Sequence, residues 1–167
     1  MISLTKSFQQ LSSHYIKNVV LVFLLVAQIA IAQGSIRISG LQEIKFGIWT
    51  IGSGTLFSSN DICVAVDQPG PYQITAAGIG SGNDFYLSSG GNNIVYLVFF
   101  NDAPRLSGRQ QLSPGVPLTG LKGKKRKKKA DCNKPTANLS LEIPESNISA
   151  APAGHYSGVL VLLVSPE

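Results

Sequence analysis

Little in this sequence has the residue types and spacing to do covalent chemistry. Nucleophilic catalysis of the Ser-His-Asp kind needs an imidazole, and beyond residue 32 the chain has one histidine, His155. Gly154, Tyr156 and Ser157 around it lead straight into an apolar run, with no nucleophile elbow nearby. His155 therefore reads as a solvent-facing residue ahead of a strand. Gly115 and Gly120 have the spacing of a phosphate loop, but Leu121 stands where its lysine belongs and no Ser or Thr follows. The Gly78-Ile79-Gly80-Ser81-Gly82 stretch lacks dinucleotide spacing and precedes a strand pattern, so it reads as a turn. Two cysteines and one histidine without a carboxylate cluster do not make a zinc cage. The expectation is a protein without catalytic residues, cofactor or metal.

Two other features could still matter. Cys63 and Cys132 are the only cysteines, an even number, and read as a disulfide if the chain meets an oxidising compartment. Closing such a loop contributes roughly 4 kcal/mol in the chain-entropy model; the alternative is two free thiols. Lys122, Lys124, Lys125, Arg126, Lys127, Lys128 and Lys129 crowd into eight positions. Such a block is usually a self-repelling, solvated loop. The sharper alternative is an anion-binding segment for lipopolysaccharide, nucleic acid or a sulfated glycan, driven by counterion release. No aromatic residue interleaves with these cations, so base stacking is not part of that alternative.

The whole chain has 167 residues, 14 basic against 9 acidic. With the cationic block set aside, seven basic residues face nine acidic ones, so the remaining body is weakly acidic. Charged residues are 14% of the chain, against about 25% in ordinary soluble proteins. Residues 1–32 read as a signal peptide. Lys6 and Lys17 give a positive start, residues 19–27 form an unbroken apolar run, and Ala30-Ile31-Ala32 is a small-x-small cleavage site before Gln33. An uncleaved anchor is the alternative, but the run is shorter than the roughly 20 residues that span a bilayer core. The mature chain, residues 33–167, is expected outside the cytoplasm, where the cysteines can oxidise.

Period-two patterns dominate that mature chain. Ile44, Phe46 and Ile48 alternate with polar or small neighbours, as do Tyr72, Ile74 and Ala76, and Ala137, Leu139, Leu141 and Ile143. Each predicts a half-buried strand. Residues 62–66, 85–87, 94–100 and 159–164 are β-branched or aromatic runs of the same meaning, the last two expected to be covered on both faces or along an edge. Turn signals rich in Gly, Pro, Asn and Asp separate them, including 88–93 and 144–147, and no helical stripe stands out. Short strands spaced this way predict one all-β sandwich or barrel. Asn138-Leu139-Ser140 and Asn147-Ile148-Ser149 fit the glycosylation sequon, which matters only in a eukaryotic secretory pathway.

Taken together these stretches resemble a known family. The carriers are Phe46-Gly47, Asp61-Ile62-Cys63-Val64, Tyr72-Gln73-Ile74-Thr75-Ala76, and Tyr96-Leu97-Val98 with Asn101-Asp102. The closing stretch Ala153-Gly154-His155-Tyr156-Ser157-Gly158-Val159-Leu160-Val161-Leu162 is the most specific of them. The chain resembles the spore coat protein U family, which includes the Csu-type pilins of archaic chaperone–usher systems, over residues 33–167. The resemblance implies an immunoglobulin-like antiparallel β-sandwich that lacks its last strand. It implies a periplasmic chaperone, an outer-membrane usher and sister pilus subunits as partners, with a passage from periplasm to cell surface or extracellular fibre.

On that reading Val159, Leu160, Val161, Leu162, Leu163 and Val164 form a strand-acceptor edge. Residues 94–100 are expected to be incompletely covered with it, leaving the isolated protein marginal. Two features depart from the family. Only residues 33–38 precede the Phe46 strand, with Ile36 and Ile38 alternating as a donor would, and no cysteine lies there. The Lys-rich segment is not part of the family pattern either. The expected function is a non-enzymatic exported subunit of a surface fibre serving adhesion or biofilm formation. The alternative is a free-standing secreted binding module whose cationic loop holds an anionic polymer.

Overall fold

The computed structural model describes residues 35–67, 70–122, 124–125, 132 and 134–167. The signal-peptide segment lies outside the described residues, as do Arg126 to Lys129. The fold is all-β, antiparallel apart from one short pairing, and consistent with the sandwich that the alternating patterns predict and the immunoglobulin-like form that the resemblance implies.

One sheet is built on β2 (Leu56–Val66), with β1 (Ile36–Ser39) on one side and β10 (Ala137–Ile143) on the other. β10 is followed outward by β6 (Leu97–Asn101) and β7 (Gln110–Leu112), and β9 (Lys124–Lys125) adds a short parallel pairing to the end of β2. The second sheet is β11 (Leu160–Pro166), β3 (Pro71–Gly78) and β8 (Leu118–Lys122), in that order. A hairpin of β4 (Tyr86–Ser89) and β5 (Asn92–Val95) completes the strands. Its two-residue turn, Gly90-Gly91, has φ of +53° and +89°, a pair of left-handed positions that glycine takes without a Cβ penalty.

Alternation sorts the core. Ile62, Val64, Leu139, Leu141, Val98 and Phe100 from the first sheet cluster with Tyr72, Ile74, Ala76 and Leu121 from the second. The Phe85 and Tyr96 rings stack there with centroids 5.8 Å apart.

The structure corrects four expectations. The Ile44, Phe46, Ile48 segment is not a strand. Gly40, at φ +79°, turns the chain out of its pairing with β2, and Gly47, at φ +82°, interrupts the extended backbone. Ile44 and Phe46 still pack against the core, whereas Ile48 is 93% exposed. Alternation supplied a face, but no neighbouring strand was there to pair with it. Residues 94–100 are two strands, not one, switching at Tyr96, whose N–H donates to the Phe85 carbonyl at 3.0 Å. One face of that run, Ile94, Tyr96, Val98 and Phe100, is buried, while Val95 on the other is 52% exposed, so cover is neither complete on both faces nor missing from the core side.

Residues 144–147, read as a turn, lead into a short helix, α1 (Glu145–Ser149). Pro144 suits its start, where a missing N–H costs nothing. Last, β7 and β8 lie where no strand was expected, being too short or too polar to show a pattern, and the donor-like alternation of Ile36 and Ile38 becomes β1 of the chain's own sheet.

Candidate strand-acceptor edge

The apolar run at residues 159–164 becomes β11 with its alternation made visible by pairing. Leu160, Leu162 and Val164 pack against the core, while Val161 and Leu163 on the opposite face are 52% and 65% exposed, and Val159 just before the strand is exposed too. The expectation of cover on both faces is thus corrected: one face is packed and the other meets solvent. β11 pairs antiparallel with β3 over seven residues, from Leu160 opposite Gly78 to Pro166 opposite Tyr72. β3 has β8 as its other neighbour, so among the described residues no strand lies on the far side of β11. β1 of the other sheet comes within 8 Å of β11 at its Cα atoms without pairing to it.

Both ends of this edge are fixed. At the start, Ser157 and Ser88 exchange backbone hydrogen bonds of 2.8 and 3.1 Å. Gly158 passes so close to β4 that a Cβ there would sit 2.6 Å from the Tyr86 carbonyl oxygen, so a side chain at 158 forces the strands apart. At the other end, the Gln73 amide donates to Ser165 Oγ at 3.0 Å and the Glu167 N–H donates to the Pro71 carbonyl at 3.2 Å. The Gly120 N–H donates to the Glu167 carboxylate at 2.5 Å. These contacts hold the edge in extended form. Ser157 and Gly158 lie in the closing stretch that carries the resemblance, though their contacts with β4 were not legible there, and Ser165 had no signal in the sequence.

The four end strands of the two larger sheets differ in chemistry. β1 is four residues long and carries Arg37, β7 has three residues, and β8 contains Gly120 at φ +73° and ends on Lys122. Short strands, cations and irregular backbone are how natural edges discourage further pairing. β11 has seven residues and no charge, with only Pro166 at its end as a breaker.

The other expected residues are placed as follows. Cys63 and Cys132 form a disulfide, their Cα atoms 5.8 Å apart, which ties the segment ahead of β10 to β2. Thr136 reinforces it: its hydroxyl donates to the Val64 carbonyl at 2.9 Å and accepts from the Val64 N–H at 2.8 Å. Lys122 closes β8, exposed, with its N–H donating to the Asp102 carboxylate at 3.2 Å. Lys124 and Lys125 form β9 alongside Ala65 and Val66, away from the β11 pairing. His155 is exposed in the segment between α1 and β11. Among the described residues no cluster of three His, Cys, Asp or Glu side chains could hold a metal ion. Asn138, the acceptor of one sequon, is buried and donates to the Asp61 carboxylate at 2.8 Å.

Two tyrosines carry perturbed phenols. Burial, assisted by the negative charge of Asp102, pushes the Tyr72 hydroxyl well above its ordinary value, and burial alone raises Tyr96. Both rings belong to the core beside the strands that carry the edge, and neither faces a candidate substrate.

No family model matches the chain, and no curated protein matches it. Among solved structures it is similar to a chain in the crystal structure of the CsuC–CsuE chaperone–tip adhesion subunit pre-assembly complex, from the archaic chaperone–usher Csu pili of Acinetobacter baumannii. The identity is 19% and the TM-score 0.45, over 79% of this chain and 39% of that one. The chain thus spans well under half the length of the one it matches.

Proposed function

We propose that this protein is a non-enzymatic, exported subunit of a cell-surface pilus or fibre that accepts a β-strand along β11. The observation that carries the reading is the contrast among the end strands of the two larger sheets: three are short, charged or irregular, and the fourth is long, uncharged and fixed at both ends. An extended segment placed there gains backbone hydrogen bonds from β11, and its alternate side chains reach the core beside Leu160, Leu162 and Val164. The motif resemblance fits the same reading, with a periplasmic chaperone filling the edge first and a sister subunit afterwards, at an outer-membrane usher. Adhesion or biofilm formation is the biological output this reading implies. Export begins with removal of residues 1–32, and mass spectrometry of the mature protein should find Gln33 as the first residue.

The test is to express the full chain with a periplasmic chaperone of a chaperone–usher system and purify it from the periplasm. Co-purification of the two, lost in Leu160→Asp and Leu162→Asp, is the expected result. A soluble, cooperatively folding monomer that ignores both chaperone and any alternating apolar peptide would overturn the proposal. It would favour the free-standing module, whose binding should then follow the cations at Lys122, Lys124, Lys125, Arg126, Lys127, Lys128 and Lys129 and weaken with salt.

A further inference from the structure

The loop between β1 and β2 carries the two most exposed large apolar side chains among the described residues, Ile48 at 93% and Ile51 at 94%. Neither hangs on a loose segment. Ile44 and Phe46 on the entering leg and Leu56 on the leaving leg pack against the core, so the tip, residues 47–54, stands on a fixed base. Thr50 to Ser53 is a tight turn. The Ser53 N–H donates to the Thr50 carbonyl at 2.9 Å, with Gly52 at φ +84° in the left-handed position that a type II turn requires. Every polar side chain of the tip finds its partner within the loop. The Trp49 indole N–H donates to the Gly54 carbonyl at 2.9 Å, the Thr50 and Ser53 hydroxyls lie 2.7 Å apart, and Ser53 Oγ also accepts from the Thr50 N–H at 3.3 Å. No charged residue occurs between Lys45 and Asp61, and at the base Lys45 pairs with Glu43 at 3.2 Å.

A single exposed apolar residue is ordinary. Two of them three positions apart on a braced turn, with the polar side chains between and beside them already paired, form a tip that can leave water at little cost. We propose that this tip is a lipid-binding site: Ile48 and Ile51 enter the acyl boundary of a bilayer, Trp49 lies at the headgroup level, and Glu43 and Lys45 stay in water. A protein groove fits less well, because protein interfaces take about one hydrogen bond per 100–200 Å² and the tip has no free polar side chain to offer. The Glu43–Lys45 pair leaves the loop without net charge, so the attraction is apolar and needs no anionic lipid. Lys124 and Lys125 pair with Ala65 and Val66, at the opposite end of β2 from the loop, so the cationic segment is no part of the site. The inference does not rest on strand acceptance along β11.

The test mixes the full chain, exported and purified from the periplasm, with phosphatidylcholine vesicles and floats them on a density gradient. The protein should float with the vesicles at low and high salt alike, and added phosphatidylglycerol should change little. Trp49 is the chain's one tryptophan, so its emission should shift to the blue on binding and be quenched by lipids brominated in the acyl chain. Ile48→Ser and Ile51→Ser should each weaken partitioning roughly tenfold. The double variant should abolish it, with the melting temperature unchanged because both side chains are exposed. Val161→Ser with Leu163→Ser, which strips the exposed face of β11, should leave binding as it was. Flotation that requires phosphatidylglycerol and fails in high salt would overturn the proposal in favour of the cationic segment. Flotation that the β11 variant abolishes would overturn it in favour of that face. Vesicles ignored altogether would also overturn it, and dimers that the double isoleucine variant abolishes would then make the tip a contact between copies.

Discussion

β10 and β11 are both seven-residue strands that turn alternate apolar side chains to the core, yet they live in opposite surroundings. β10 has β2 on one side and β6 on the other, in register over seven and five residue pairs. Its second face is covered as well. Arg109 lies over the Phe99 ring at 4.4 Å and the Phe57 ring at 5.4 Å, donates to Ser140 at 3.3 Å and pairs with Glu142. Among the described residues β11 has one neighbouring strand, and one of its faces is packed. The difference teaches that an apolar pattern selects which face turns inward, while the number of neighbouring strands decides whether the backbone is satisfied. Enclosure concentrates in β10 and exposed apolar surface in β11.

The contrast is broken most severely at the centre. Leu139→Ala in β10 removes a buried side chain that cannot be replaced by water, and should cost about 2–5 kcal/mol. Leu163→Ala in β11, already exposed, should cost less than about 0.5 kcal/mol. Denaturant midpoints of the two variants measured side by side check this. Equal losses would mean that β11 is as enclosed as β10.

How far the sequence revealed this contrast follows from the same physics. The limits of β10 were legible because polar Asn138, Ser140 and Glu142 separate its inward residues cleanly. The apolar run of β11 was legible as a strand, but its continuous apolar character hid which face is packed, and only the pairing with β3 resolves it. The Ile44 to Ile48 segment is the converse case: a strand pattern that two left-handed glycines deprive of a partner. Arg109 acts through residues far away in the chain and no local spacing marks it, and the contacts of Ser157 and Gly158 with β4 are equally non-local although the motif around them was legible.

The disulfide ranks next in expected size. It joins β2 to the segment entering β10 and so supports the well-enclosed side of the comparison. Cys63→Ser, or reduction of the native protein, should lower stability by about 2–4 kcal/mol. Alkylation under denaturing, non-reducing conditions should label neither sulfur. Full labelling of both would show the bridge to be absent.

Alkaline pH tests the core shared by both sheets. Tyr72 in β3 and Tyr96 beside β6 hold their protons more tightly folded than unfolded. Below about pH 10 both states keep these protons and the stability they reflect is fully present. Above it the unfolded chain releases them first, so stability should fall steadily as pH rises toward the folded-state values. Urea unfolding at about pH 8 and about pH 11 measures the loss. Tyr72→Phe should reduce it and leave stability near neutral pH almost unchanged. A flat pH response would mean that the phenols reach solvent.

The smallest effect on stability makes the finest distinction about function. Leu162 and Leu163 are adjacent in β11 but point to opposite faces, Leu162 toward the core and Leu163 toward solvent. If a partner strand pairs along the edge, its core-facing side chains settle beside Leu160, Leu162 and Val164, since cross-strand neighbours on one face lie about 4.5–5.5 Å apart. Leu163→Lys should then change stability by less than about 0.5 kcal/mol and leave binding of an alternating apolar peptide nearly intact. Leu162→Asp places a charge where the peptide's apolar residues must sit, and should abolish binding. Peptide titrations followed by fluorescence, with each variant first confirmed folded by circular dichroism, separate the two cases. Should Leu163→Lys abolish binding while a folded Leu162→Asp retains it, the partner docks flat on the exposed face rather than along the edge. The comparison with β10 would then turn on faces alone.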